Sequence, residues 1–94
     1  MKFIYPAIIR KTSEQHYRAE FPDLAGCEAD GSSLEDVLAR ARDALRTWIE
    51  VELEEESPAL PYVTDTEDLL PSLKEGEIVR NLCVHVRFYE GWDE

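Results

Sequence analysis

The sequence predicts a single α+β domain in which a small β-sheet packs against one long amphipathic helix. Its 94 residues are too few to build two separately cored units. Strand-like segments stand at both ends of the chain, and an apolar stripe with helical spacing lies between them. Because 44% of the residues are hydrophobic, as in ordinary globular proteins, we expect one folded core.

The N-terminal third predicts a hairpin and a short third strand. Residues 2–11 are rich in β-branched and aromatic types, and residues 16–21 alternate polar with apolar side chains. After turn chemistry at residues 22–26, residues 27–30 are long enough only for a short strand. The apolar face of the second strand, which we expect to face the core, consists of Tyr17, Ala19 and Phe21.

A long helix is predicted to follow. Ser32 or Ser33 can cap its start, since each has an acid three residues later. It can run to about Glu55, where Pro58 and Pro61 forbid continuation, for a length of roughly 30 Å. The apolar stripe that must lie on the sheet consists of Leu34, Val37, Leu38, Ala41, Leu45, Trp48 and Ile49.

The last third predicts one short helix and a clear strand. Pro71 limits the helix that begins near Thr64 to one or two turns, and residues 77–89 alternate as a strand does. We expect the last strand to pair parallel to the first after the helical crossover, in a sheet ordered 3-2-1-4. Pro6 cannot donate to a ladder, so we predict a bulge or a missing bond there.

The charge and the cysteines limit the class of protein. Twenty-one acidic and ten basic residues give a formal charge of −11 at pH 7. Such a chain repels phosphate backbones and anionic membranes, so direct nucleic-acid or membrane binding is disfavoured. No apolar run has signal-peptide or bilayer length, and we expect a cytoplasmic protein in which Cys27 and Cys83 are reduced.

Three short motifs occur in a fixed order: Tyr5-Pro6-Ala7, then FPDLAGC at residues 21–27, then SLEDV at residues 33–37. Their order and spacing resemble those of the HicB antitoxins, over nearly the whole chain, with Ala25 where proline is usual. The resemblance implies a partial RNase H-like β-β-β-α-β fold without RNase activity. It also implies an antitoxin that binds and neutralises a small basic RNA-cleaving toxin of the HicA type.

The resemblance also bears on domain organisation. Full-length HicB proteins usually add a ribbon-helix-helix or helix-turn-helix segment that binds DNA, whereas this sequence ends at Glu94. We therefore expect one HicB-like domain over residues 1–94, without a C-terminal DNA-binding domain. Short solitary members of the family suggest an alternative function, an acidic oligomeric regulator or adaptor that has no toxin partner.

Carboxylates crowd the predicted end of the long helix, where the helix dipole disfavours them. One interpretation is a solvated, frayed helix end, as most charge runs are. The other is a toxin-binding surface that meets lysine and arginine side chains and mimics phosphate. The residues of this candidate surface are Glu50, Glu52, Glu54, Glu55 and Glu56.

The last strand is predicted to lie at an edge of the sheet, and long edges invite pairing. We expect a homodimer or tetramer formed by the last strands and their aromatic ends, unless residues 57–76 cover the edge. The residues predicted for this interface are Val84, Val86, Phe88, Tyr89 and Trp92.

Metal and catalytic sites are disfavoured. His16, Cys27, Cys83 and His85 lack the paired spacing of a zinc site. Cys27 with a histidine and Asp23 could form a nucleophilic triad, but nothing local supplies an oxyanion hole. We therefore expect no cofactor, no metal and no enzymatic activity.

Overall fold

The computed structural model describes residues 1–86, which form a four-stranded sheet with one long helix on one face. Within this range, none of the helices combines the length and the hydropathy that a membrane span requires. The elements in chain order are β1 (Lys2–Ser13), β2 (His16–Glu20), β3 (Glu28–Gly31), α1 (Leu34–Leu53), α2 (Thr66–Leu69), a 3₁₀ turn (Leu70–Ser72) and β4 (Ile78–His85).

The core lies between α1 and the facing side of the sheet. Period-two alternation sends every second side chain of β1, β2 and β4 to this face, and the helical stripe meets them there. The predicted faces of β2 and α1 are confirmed, with Tyr17, Leu34, Leu38 and Trp48 half-buried beside the fully buried set. The buried core includes Tyr5, Ala7, Ile9, Ala19, Phe21, Val37, Ala41, Leu45, Ile49, Leu82, Val84 and Val86.

Two serines and one aspartate fix the start of α1. The Ser33 hydroxyl accepts a hydrogen bond from the Asp36 N–H at 3.0 Å, and the Ser32 N–H donates to the Asp36 carboxylate at 2.9 Å. The Ser32 N–H and the Arg40 guanidinium lower the pKa of Asp36, because both stabilise its charged form. The predicted cap is thus confirmed; the helix ends at Leu53 with Glu54 as its C-cap, near the predicted Glu55.

The predicted strand order is confirmed, but the predicted direction of the last strand is wrong. The sheet is ordered β3-β2-β1-β4, and β4 runs antiparallel to β1, with Ile9 opposite Ile78 and Lys2 opposite His85. The connector between α1 and β4 (residues 54–77) explains the difference. It carries the chain back along the sheet, so that β4 enters beside the C-terminal half of β1.

This connector also changes sides of the sheet. Tyr5, on the helix-facing side, bonds to Pro61, whereas residues 63–67 line a pocket with Ile4 and Asn81, which lie on the opposite face. The chain passes where β2 has already ended, since β2 stops at Glu20, opposite Ile8. The N-terminal half of β1 therefore has space beside it for the connector.

Pro6 causes no bulge, which was one of the two irregularities predicted there. The pairing of β1 with β4 continues without a shift through Pro6 opposite Asn81, and the one register shift in β1 lies between Lys11 and Ser13. Because the pairing of β1 with β2 begins only at Ile8, Pro6 has a ladder neighbour on one side only. Such a half-open position tolerates a residue that lacks an amide hydrogen.

Candidate functional site

The strongest charge feature is an uninterrupted acidic segment, defined here as residues 47–73. It contains no lysine, arginine or histidine. It runs from the last turns of α1 through most of the connector. Most of the net charge of −11 is therefore concentrated here, in the residues Glu50, Glu52, Glu54, Glu55, Glu56, Asp65, Glu67 and Asp68.

The five predicted toxin-binding glutamates all lie at one end of α1. Four are exposed, whereas Glu52 is half-buried and its carboxylate accepts a hydrogen bond from the Ala59 N–H at 3.1 Å. The last turn of α1 has no basic residue, and within residues 1–86 none of the five glutamates forms an ion pair. The four exposed carboxylates are thus open to a cationic partner, and the binding role of the five glutamates stays a prediction.

Two residues of the sequence motifs hold the connector in place. The Tyr5 hydroxyl donates to the Pro61 carbonyl at 2.6 Å. The Asp23 carboxylate accepts from the Thr64 N–H at 2.8 Å and from the Thr64 hydroxyl at 2.6 Å. Burial and the nearby negative charge of Asp23 raise the pKa of Tyr5, which keeps its hydroxyl a donor. Sequence reasoning missed these anchors, since neither follows from periodicity.

A groove lies between residues 26–28 and one side of α1, and we call it the α1 groove. Its volume is about 580 Å³, within the range of ordinary ligand sites. The Trp48 indole N–H donates to the Ala25 carbonyl at 3.0 Å, which ties the turn to the helix. The groove is lined by Gly26, Cys27, Glu28, Asp43, Ala44, Thr47, Trp48, Val51 and Glu52.

The cysteines and histidines lie in separate environments. Cys27 is buried, and burial together with the charge of Glu28 raises the pKa of its thiol to about 11, so it is a poor nucleophile. Cys83 is exposed on β4, while His16 lies near Thr12 and Asp30 at the other end of the sheet. Among residues 1–86, no group of three or more potential ligands is arranged to hold a metal ion.

The outer face of the sheet carries a charge network centred on Arg18. Its guanidinium pairs with Glu28, Glu20 and Asp30, and hydrogen bonds to Glu28 and Glu20 raise its pKa. Glu20 lies on β2 beside Arg18, whereas the pairs with Glu28 and Asp30 join β2 to β3, where opposite charges on neighbouring strands attract one another. Because one guanidinium faces three carboxylates, the network presents no free cationic patch.

The predicted dimer interface falls into two groups. Val84 and Val86 are only 1% and 2% exposed and pack in the core, so their side chains are not available to a second copy. Phe88, Tyr89 and Trp92 lie outside the described residues. Within residues 1–86, β4 does lie at the edge of the sheet, and its backbone could pair with a second copy. The homodimer stays a prediction.

Comparison with known proteins finds the same architecture among solved structures. Among curated proteins, the sequence matches none. Among solved structures, a chain of a HicA3–HicB3 toxin–antitoxin complex is 31% identical, with a TM-score of 0.67, covering 85% of this chain and 95% of that one.

Two other solved structures share the fold at lower identity. The N-terminal domain of Burkholderia pseudomallei antitoxin HicB has a TM-score of 0.76 at 20% identity, covering 89% of this chain and all of that one. A chain of a toxin–antitoxin complex from Streptococcus pneumoniae has a TM-score of 0.71 at 22% identity, covering 90% of this chain and 70% of that one. Residues 5–84 match the family described as HicB-like antitoxin of bacterial toxin-antitoxin system, and the chain therefore belongs to that family.

Proposed function

We propose that this protein is an antitoxin that binds and neutralises a small basic RNA-cleaving toxin of the HicA type. Its membership of the HicB-like antitoxin family carries the proposal. The likeness to a chain of a HicA3–HicB3 complex, at 31% identity, supports it. The protein acts by occupying its partner, without catalysis of its own, in the cytoplasm where RNA is accessible.

The acidic segment supplies a physical reason for choosing a basic partner. Exposed carboxylates at the end of α1 attract the cationic surface with which an RNA-cleaving protein holds phosphates, and they compete with RNA for it. Exposed charges of this kind increase the association rate more than they slow dissociation. The same charge repels nucleic acid from this domain, so we propose no direct contact with DNA or RNA.

The test is co-expression with the neighbouring gene, scored by pull-down and by growth. The proposal expects the neighbouring gene to encode a small basic protein that is retained by this chain and that arrests growth when expressed alone. Growth should return when both are expressed. Absence of binding and of rescue would refute the toxin partner and favour the solitary regulator.

The acidic end of α1 is tested by neutralising three exposed glutamates. In the triple variant Glu54→Gln, Glu55→Gln and Glu56→Gln, we expect association with the toxin at low salt to slow by about three- to tenfold, because long-range attraction is reduced. Raising the salt concentration should reduce the difference, since exposed charges are screened. The measurement is surface plasmon resonance at two ionic strengths.

A matched control removes the same charge elsewhere. Glu14, Glu35 and Glu75 are also exposed and lie outside the acidic segment. Their triple change to glutamine should alter the association rate by less than about twofold if location matters. Equal slowing in both variants would show that only the net charge counts.

The open edge of β4 favours a second proposal, that the protein is a homodimer or a tetramer. The backbone of β4 is unpaired on its outer side within the described part of the chain. Strand pairing at this edge would satisfy those groups. Sedimentation that shows only monomer at high protein concentration would reject it. If the protein is an oligomer and its gene has no toxin gene beside it, the regulator or adaptor alternative would be supported.

A further inference from the structure

We propose that the α1 groove is the anchoring site for a cationic amphipathic segment of the partner protein. An aliphatic side chain of that segment enters the groove, and flanking lysine or arginine side chains reach the carboxylates at its rim. The inference rests on the proposed function, because it names the place where the toxin is held.

The floor of the groove is apolar and open. Val51 is 59% exposed, and the half-buried Trp48 and Ala44 and the buried Cys27 line the groove with it. An exposed valine next to a partly covered indole is a surface that gains free energy when another apolar group covers it. The floor therefore suits the insertion of an aliphatic side chain.

The groove is already formed without a partner. The hydrogen bond from the Trp48 indole to the Ala25 carbonyl holds the turn against α1 at 3.0 Å. The turn itself is closed by backbone hydrogen bonds, from the Leu24 N–H to Phe21 and from the Cys27 N–H to Leu24, each at 3.1 Å. Since both walls are fixed, binding here costs little conformational entropy.

The rim selects for positive charge. Among residues 1–86, the charged side chains that line the groove are Glu28, Asp43 and Glu52, and no basic residue of this range does so. Glu28 pairs with Arg18, and Asp43 pairs with Arg46 at 3.3 Å. Glu28 and Asp43 are themselves exposed, and a carboxylate has about four acceptor sites, so each can receive a further donor.

Other occupants fit less well. A phosphate or a nucleic acid would meet three carboxylates, and a second copy of this chain would bring a formal charge of −11 to an acidic surface. Arginine and lysine satisfy both parts of the groove, because their aliphatic stems pack on apolar surface while their charged ends reach carboxylates. Trp48 adds an aromatic face that attracts cations.

The groove is continuous with the acidic end of α1. Glu52 lines the groove and also belongs to the five glutamates at the helix end. A partner that fills the groove would therefore place its neighbouring basic residues against the remaining glutamates. We infer a division of roles, in which the exposed glutamates speed association and the groove slows dissociation.

The test places an arginine in the groove. Val51→Arg fills the space and adds a positive charge, which repels the positive charge expected from the partner. Dissociation of the complex with the neighbouring gene's product should therefore accelerate at least tenfold. Val63→Arg is the matched control, because Val63 is 40% exposed and lies in the same acidic segment but outside the groove. The control should change the dissociation rate by less than twofold.

A second groove variant guards against misfolding. Thr47 is exposed and lines the groove, and Thr47→Arg should have the same effect while circular dichroism and the melting temperature confirm folding. If both folded variants release the partner at the wild-type rate while the wild type binds it, the groove proposal is overturned and the proposed function stands.

The remaining case is a wild-type protein that retains no product of the neighbouring gene, which refutes the toxin partner. The probe is then a capped synthetic hexapeptide of alternating leucine and arginine, added to Trp92→Phe protein while the Trp48 indole signal is followed by NMR. A shift at submillimolar peptide that Val51→Arg abolishes supports a cationic-segment groove. No shift up to millimolar peptide overturns it.

Discussion

The anchoring of the connector by Asp23 gives the most direct quantitative prediction. Its carboxylate accepts two short hydrogen bonds from Thr64, one from the backbone and one from the hydroxyl. Bonds to a charged acceptor contribute about 1.5–3 kcal/mol each, and partial burial places these near the lower end. Asp23→Ala should therefore destabilise the protein by about 3 kcal/mol.

A graded variant series makes the reasoning sharper. Asp23→Asn keeps the shape, and the Thr64 hydroxyl can turn to accept from the new amide, so two neutral bonds replace two charged ones. About half of the loss should then remain, because charged hydrogen bonds are roughly twice as strong as neutral ones. In a domain of this size each 1 kcal/mol shifts the melting temperature by about 4–8 °C.

The assay is urea denaturation monitored by circular dichroism, with a control one residue after Thr64. Asp65 is exposed and its side chain makes no capping hydrogen bond, so Asp65→Ala should change stability by less than about 0.5 kcal/mol. If Asp23→Ala were as stable as Asp65→Ala, the connector would not be held in the way described. Additive effects of Asp23→Ala and Thr64→Val in the double variant would equally refute a direct bond.

Three further predictions concern packing, the thiols and pH. A Cβ at Gly31 would lie 2.5 Å from the Val37 nitrogen, so Gly31→Ala should cost about 3 kcal/mol by overpacking. Gly76→Ala should cost only about 1 kcal/mol, from its φ of +85° in open space; equal losses in denaturation would contradict this. With a thiol reagent at pH 8, Cys83 should react quickly and Cys27 only after unfolding, and a single fast phase of two thiols would count against it. Because the pKa of folded Cys27 is raised from 9.0 to about 11, the native state keeps a proton that the unfolded state loses, so Cys27 should make stability fall between pH 9 and pH 11. In the Cys27→Ala protein, this decrease of stability between pH 9 and pH 11 should be absent.

Much of the fold follows from local patterns in the sequence. The alternation in residues 16–21 and the spacing of the helical stripe assign the core faces of β2 and α1 correctly, because burial on one side imposes those periods. Serine followed by an acid three residues later located the start of α1, since the cap is a contact within one turn. These features depend only on neighbours in the chain.

The direction of β4 could not be predicted in the same way. It depends on the path of residues 54–77, which is set by single long-range bonds from Tyr5 to Pro61 and from Asp23 to Thr64. No periodic pattern accompanies such bonds. A general preference for crossover connections after a helix predicted that β4 would pair parallel to β1. The connector instead returns along the sheet before β4 begins, and the pair is antiparallel.

The candidate site was also only partly predictable. The run of glutamates at the end of α1 is visible in the sequence, since a local excess of charge needs no fold to be recognised. The α1 groove is not visible, because it joins Trp48 to a turn more than twenty residues earlier. The helical stripe assigns Trp48 to the core, and the structure shows that Trp48 packs against the core and also lines the groove.

The absence of any basic residue from residues 47–73 has a thermodynamic consequence for the free protein. The carboxylates of this segment repel one another when folding brings them together, so the isolated domain carries an unfavourable self-energy. Added salt should therefore raise its melting temperature, in contrast to a protein held by surface ion pairs. A cationic partner relieves the same repulsion on binding, which links the stability of the domain to its occupancy.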